Sequence, residues 1–124
     1  MINILVVDDE KDICWALHTG LRDEGFHITQ VTRGEEALTE VKKRAFDLAI
    51  IDVKLPGKNG LEISRLVKAL DPRLKILIIS GYHYEDDQPI QEGILRGEFL
   101  GFISKPFELD EVATLVKRVI EEDK

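Results

Sequence analysis

A chain of 124 residues is one domain's worth of polypeptide, long enough to bury a core without covalent staples. Its single cysteine, Cys14, excludes an internal disulfide and suits a reducing, cytoplasmic setting. The net charge of −7 speaks against a direct nucleic-acid binder, no apolar run approaches the roughly 20 residues that span a bilayer, and Met1–Val7 is too short and uncharged for a secretory signal.

Ile4-Leu5-Val6-Val7 is a short continuous apolar run, the mark of a strand buried on both faces. Between Glu10 and Glu24, Ile13, Leu17 and Leu21 recur at helical spacing, and Gly25 ends that helix. Ile28 and Val31 lie among polar neighbours, which reads as an edge strand. Glu35 to Arg44 puts Leu38 and Val41 on one helical face. Leu48-Ala49-Ile50-Ile51 is a second buried strand. The turn residues of Leu55–Gly60 mark a loop.

Leu61, Leu66, Val67 and Leu70 trace a third helix, closed by Asp71-Pro72, and Ile76–Ile79 is a fourth strand. Gly81 to Gly97 is poorly patterned and interrupted by Pro89 and Gly93. It reads as a loop and a short helix starting no earlier than about Pro89, where proline suits the first helical turn. Phe102-Ile103-Ser104 is a short fifth strand, and Leu109, Val112, Val116, Val119 and Ile120 stripe a last helix.

Five strands alternating with five helices imply an α/β fold: a parallel sheet covered on both faces. Right-handed crossovers leave few topologies. With the two weakest strands, the second and fifth, at the edges, the order is 2-1-3-4-5, the flavodoxin-like doubly wound arrangement. Residues 1–124 form a single domain on this reading.

The residues just after the buried strands carry the chemistry. Strand 1 runs into Asp8-Asp9-Glu10, strand 3 into Asp52, strand 4 into Ser80-Gly81 and strand 5 into Lys105-Pro106. All lie at one edge of the sheet. Two carboxylates about 4 Å apart repel by roughly 4 kcal/mol at an effective dielectric of 20. One ammonium cannot balance such a cluster, whereas a hard divalent cation can. A carboxylate, a cation and a lysine are also the parts that phosphoryl transfer to aspartate requires.

With these residues in view, the chain resembles the response-regulator receiver domains over essentially its whole length. The resemblance rests on Asp8-Asp9-Glu10, Asp52 with Pro56-Gly57 and Gly60, Ser80-Gly81, and Lys105-Pro106-Phe107. It implies that Asp52 is the phosphoacceptor and that Asp9, Asp52 and the backbone carbonyl of Lys54 bind Mg²⁺ (or Mn²⁺). By the same resemblance, Asp8 acts through metal-bound water, and Ser80 and Lys105 hold the phosphoryl group. Phe102 would be the rotating aromatic of the switch, and the Lys105–Pro106 bond would be cis. The implied partners are a sensor histidine kinase or phosphotransfer protein as donor and a downstream protein effector, with no direct nucleic-acid or membrane contact. The stretch from Ser80 to Lys105 is longer than the family's usual spacing, and the Gly-Ala usual before the fifth strand is not in register.

Plainer readings stand beside these. The acids after strand 1 suit a helix N-terminus, and Ser80 is equally suited to cap a helix. Phe102 is by default a partly buried aromatic. Tyr82-His83-Tyr84 could cover the site or fill the long loop. An aspartyl-phosphate enzyme commonly carries a second Asp two residues after its nucleophile, where this chain has Lys54, so no separate substrate is expected to be turned over. A flavin module of the same topology would need Ser, Thr and Gly after strand 1, where three acids stand. The expected output is a protein-binding face on the fourth helix, the fifth strand and the last helix.

Overall fold

The computed structural model describes residues 2–55, 57, 59–81 and 88–121, and for 88–90 the backbone alone. Pro56 and the Tyr82–Tyr84 run lie outside the described residues. The elements are β1 (Asn3–Val7), α1 (Lys11–Arg22), β2 (His27–Val31), α2 (Gly34–Lys43), β3 (Leu48–Asp52), α3 (Gly60–Leu70), β4 (Lys75–Ser80), α4 (Gln88–Leu95), β5 (Gly101–Ser104) and α5 (Leu109–Glu121). All five strands are parallel, in the order β2-β1-β3-β4-β5. The expected edge strands are the observed ones. β2 pairs on one side only, so its residues can alternate with polar ones, whereas β1, β3 and β4 are flanked on both sides and almost wholly apolar.

Alternation along each strand divides the interior into two cores. Ile4, Val6, Leu48, Ile50, Leu77, Ile79 and Ile103 face α1 and α5, where Leu17, Leu21, Val112 and Val116 meet them. Leu5, Val7, Ala49, Ile51, Ile76 and Ile78 face the other way, against Ala37 of α2, Ile63 and Val67 of α3, and Phe46, Leu74 and Phe99. The helices carry their apolar residues at the matching 3.6-residue period. α3 is started by Asn59, whose side chain accepts a hydrogen bond from the Leu61 N–H at 2.7 Å.

α4 is the shortest helix, at eight residues, and begins at Gln88, one residue before the expected start. Pro89 thus falls in the first turn, where a missing N–H leaves no hydrogen bond unmade. The poor apolar patterning of this region has a packing answer that lies outside the helix. The ring of Phe99, fully buried, fills the space a side chain at Gly93 would occupy. The residue that breaks the α4 pattern is therefore the notch into which the loop before β5 anchors. The chain turns there through Gly97 at φ +75°, and the Glu98 N–H donates to the Gly93 carbonyl at 2.8 Å.

Gly93→Ala should lower stability by about 1–3 kcal/mol, the usual cost of overpacking. This outweighs the roughly 1 kcal/mol that alanine gains over glycine within a helix. Urea denaturation checks it, and Phe99→Leu in the same chain should return part of the loss. A more stable Gly93→Ala protein would contradict this packing.

Candidate functional site

The same alternation aims the polar residues at the sheet's carboxyl edge. Asp8 continues the Ile4–Val6 row, Asp52 the Leu48–Ile50 row, and Lys105 follows Ile103 by two; all three share the parity of the α1/α5 face. Ser80 continues Ile76–Ile78 on the opposite parity, and Phe102 lies in register with Ile78 there. Ladder-type hydrogen bonds hold the positions just past the strands: Asp8 N–H to the Val31 carbonyl at 3.1 Å and Lys105 N–H to the Ser80 carbonyl at 2.7 Å.

Asp52 is set by backbone on both sides. The Lys54 N–H donates to its Oδ1 at 3.1 Å. Behind it, the start of α3 packs so closely that a Cβ on Gly60 would overlap the Asp52 carbonyl oxygen, and the Gly60 N–H donates to the Val53 carbonyl at 2.7 Å. Only glycine fits there, so Gly60 fixes the distance between α3 and the end of β3. Gly57, at φ +83°, turns the intervening loop.

Lys105 ties the site together. Its Nζ is 2.9 Å from Asp8 Oδ2, 2.9 Å from Glu10 Oε1 and 3.1 Å from Asp52 Oδ2. Asp8, Asp52 and Ser80 are buried, while Glu10 is exposed. Asp8 Oδ1 accepts the Glu10 N–H at 2.9 Å. Its Oδ2 faces Lys105 off the hydrogen-bonding direction and has no hydrogen-bond partner among the described residues. The Lys105–Pro106 peptide is cis.

Burial pushes the Asp8 carboxyl up to about 6, only partly offset by the Glu10 N–H and Lys105, while the charge on Asp52 raises it further. Burial alone would lower Lys105, but its contacts with Glu10, Asp8 and Asp52 outweigh this and hold it above the ordinary lysine range. Cys14 Sγ donates to the Asp8 carbonyl at 3.1 Å, and burial pushes its thiol up to about 11, so it stays protonated and supports the loop.

Carboxylate oxygens of Asp8, Glu10 and Asp52 lie within 4.8 Å of one another. Three carboxylates against one ammonium, with a buried oxygen lacking a hydrogen-bond partner, make a donor set suited to a hard cation. Asp9, expected from the resemblance as a direct ligand, is exposed and is not one of these three. Glu10, which the sequence presented only as the third of three consecutive acids, reaches Lys105 instead. Ser80 and Phe102 have the opposite strand parity to this cluster. Phe102 is half-buried and borders a cavity of about 160 Å³ with Phe107 and Leu115.

Comparison with known proteins identifies the family of the chain. The response regulator receiver domain family matches residues 4–117. The chain is 35% identical over 117 residues to sporulation initiation phosphotransferase F of Bacillus subtilis, covering 94% of this chain and 92% of that one. It is 34% identical to the transcriptional regulatory protein ZraR of Escherichia coli O157:H7 over 94% of this chain, but spans only 26% of that protein. The fold superposes with a TM-score of 0.90 on a CheY-like receiver domain from Methanospirillum hungatei, at 25% identity and covering 98% and 95% of the two chains. It superposes with a TM-score of 0.84 on the response regulator TrrA of Thermotoga maritima in complex with Mg(2+)-BeF, at 33% identity and covering 96% and 99%. The chain belongs to the response regulator receiver domains of two-component signalling systems.

The raised Asp8 pKa has a consequence for stability. The native state holds this proton more tightly than the unfolded chain, whose carboxyl titrates near the ordinary 3.8. Stability is therefore full below that value and falls as pH rises towards about 6. Without divalent metal, Asp8→Asn should stabilise the protein at neutral pH by roughly 1–3 kcal/mol, with the gain fading at acidic pH. Urea titrations across the pH range check this; a gain independent of pH, or a loss at neutral pH, would contradict it.

Proposed function

We propose that this receiver domain takes a phosphoryl group on Asp52, in a Mg²⁺-dependent reaction, from a phosphohistidine of a sensor kinase or phosphotransfer protein, and that a protein-binding surface changes in response. The observation that carries the reading is the convergence of Lys105, Asp8 and Asp52 at the carboxyl edge of the sheet, with the Asp52 carboxylate held from both sides.

The cation, when bound, neutralises charge between the acceptor carboxylate and the incoming phosphoryl oxygens. Asp9, Asp52 and the Lys54 carbonyl are proposed to hold it, with Asp8 acting through water. The exposed position of Asp9 leaves its carboxylate free of the Lys105 cluster, while Asp8 and Asp52 supply buried charge. Asp52 acts as nucleophile: a carboxylate oxygen forms the bond to phosphorus as the bond to the donor's imidazole nitrogen breaks. The Lys54 N–H keeps the carboxylate oriented. Lys105 then moves its charge onto the phosphoryl group, which carries about −1.5 to −2. Ser80, at the end of β4, supplies the hydroxyl from the other parity.

The output follows from that division of faces. Drawing Ser80 and Lys105 towards a new anion pulls on β4 and β5 together, because Ser80 and Ser104 are register partners. Phe102, with a cavity beside it, is proposed to change rotamer with that movement. Ile94, Leu95 and Leu100 are exposed large apolar residues gathered around the end of α4 and the approach to β5, with Leu95 at 87% exposure. They suit a protein effector. Lys54 stands where an aspartyl-phosphate hydrolase would keep its general acid, which favours a signalling module over an enzyme with a separate substrate.

Incubation with Mg²⁺ and acetyl phosphate, followed by peptide mapping, should place phosphate on Asp52 and nowhere else. Asp52→Asn should remove it, and chelation should suppress it. Uptake at an unchanged rate by the Asp52→Asn protein would overturn the assignment. In the Lys105→Ala protein, Mg²⁺ binding should persist, while the phosphorylation-linked shifts of β4 and β5 amide resonances should be lost. Unchanged shifts would remove Lys105 from the coupling.

A further inference from the structure

Lys105 carries three N–H donors and faces three carboxylates. It donates to Glu10 and Asp52 and stands in ion-pair contact with Asp8, so the ammonium is hemmed in by carboxylates and an incoming phosphoryl oxygen has to displace one of them to reach it closely. The three acids are not equally able to leave. Asp8 and Asp52 are buried at strand ends, and each has its Oδ1 fixed by a backbone N–H. Glu10 sits at the first position before α1, makes no side-chain capping bond, and has a side chain 59% exposed. Among the described residues its carboxylate meets Lys105 alone.

We propose that Glu10 is a positioning residue that holds Lys105 in the resting state and must release it when a phosphoryl group arrives, so that it sets how readily the domain switches on. The inference rests on the reading of Asp52 as phosphoacceptor. Glu10 approaches Lys105 from the solvent side, because Asp8 and Asp52 close off the buried side. An anion coming from solvent therefore competes with Glu10 for the same ammonium and meets its negative charge. Removing the carboxylate should favour the anion-bound state by the worth of one exposed ion pair, about two- to fivefold in affinity.

The test is calorimetric binding of beryllofluoride, a non-covalent phosphoryl mimic, at saturating Mg²⁺. The Glu10→Gln protein should bind it about two- to fivefold more tightly than the wild type. Glu10→Asp keeps a charge at the helix N-terminus but is one methylene shorter, and should also bind more tightly. Unchanged or weaker binding by Glu10→Gln overturns the proposal, as a purely structural or metal-ligating Glu10 would give that result. Wild-type behaviour of Glu10→Asp beside a tighter Glu10→Gln also overturns it, because charge alone would then explain the gain. Failure of the wild type to bind beryllofluoride, or equal binding by Asp52→Asn, would instead overturn the phosphoacceptor reading beneath it.

Discussion

The arrangement of this domain turns on one ammonium group placed among carboxylates that the fold will not let apart. Asp8 follows β1 and Asp52 ends β3, each the first polar position of its apolar row on two adjacent buried strands. Parallel pairing brings both to the same edge, and burial removes the water that would screen them. Lys105 arrives from the far edge of the sheet, its backbone tied to Ser80. Breaking up such a cluster by removing the cation leaves uncompensated buried charge, which is strongly destabilising. The site is thus under electrostatic tension that either a proton on Asp8 or an added cation relieves. The tension is confined to one end of the molecule: among the described residues, Ser64 is the only buried polar residue apart from Asp8, Asp52 and Ser80.

Strand alternation separates the work. Acid and ammonium groups share the α1/α5 parity, while Ser80 and Phe102 share the parity of α2, α3 and Phe99. A group bound above the sheet edge and touching both Ser80 and Lys105 would couple two layers that are otherwise independent. β5 is the element best suited to move. It is the shortest strand, it pairs on one side only, and the loop before it is anchored by Phe99 against the Gly93 notch.

Much of this was legible in the sequence because it depends on local rules. Continuous apolar runs identify β1, β3 and β4, the polar neighbours of Ile28 identify β2 as an edge, and strand order follows from placing the two weakest strands at the edges of a right-handed α/β sheet. The residues after the strands then had to meet. What was not legible depends on contacts between segments distant in the chain. Glu10 reaches across 95 positions to Lys105, and nothing in an acidic triplet says that its last member meets the lysine. The contact of the Cys14 thiol with the Asp8 carbonyl is similarly invisible to periodicity. Gly93 looked like a helix defect, whereas its empty position is filled by Phe99, a residue that belongs to no predicted element. Gly60 stands out in the sequence only as part of a motif, and the reason for it, the close approach of α3 to the Asp52 carbonyl, requires three-dimensional packing.

The most direct test of the central claim is a crystal structure of the protein with Mg²⁺ and beryllofluoride. A cation should be bonded to an Asp52 carboxylate oxygen at about 2.0–2.1 Å. Lys105 Nζ should be hydrogen-bonded to the fluorides and withdrawn from Glu10. A cation held away from Asp52, or a Lys105 that keeps all three of its carboxylate contacts in the presence of the bound anion, would contradict it.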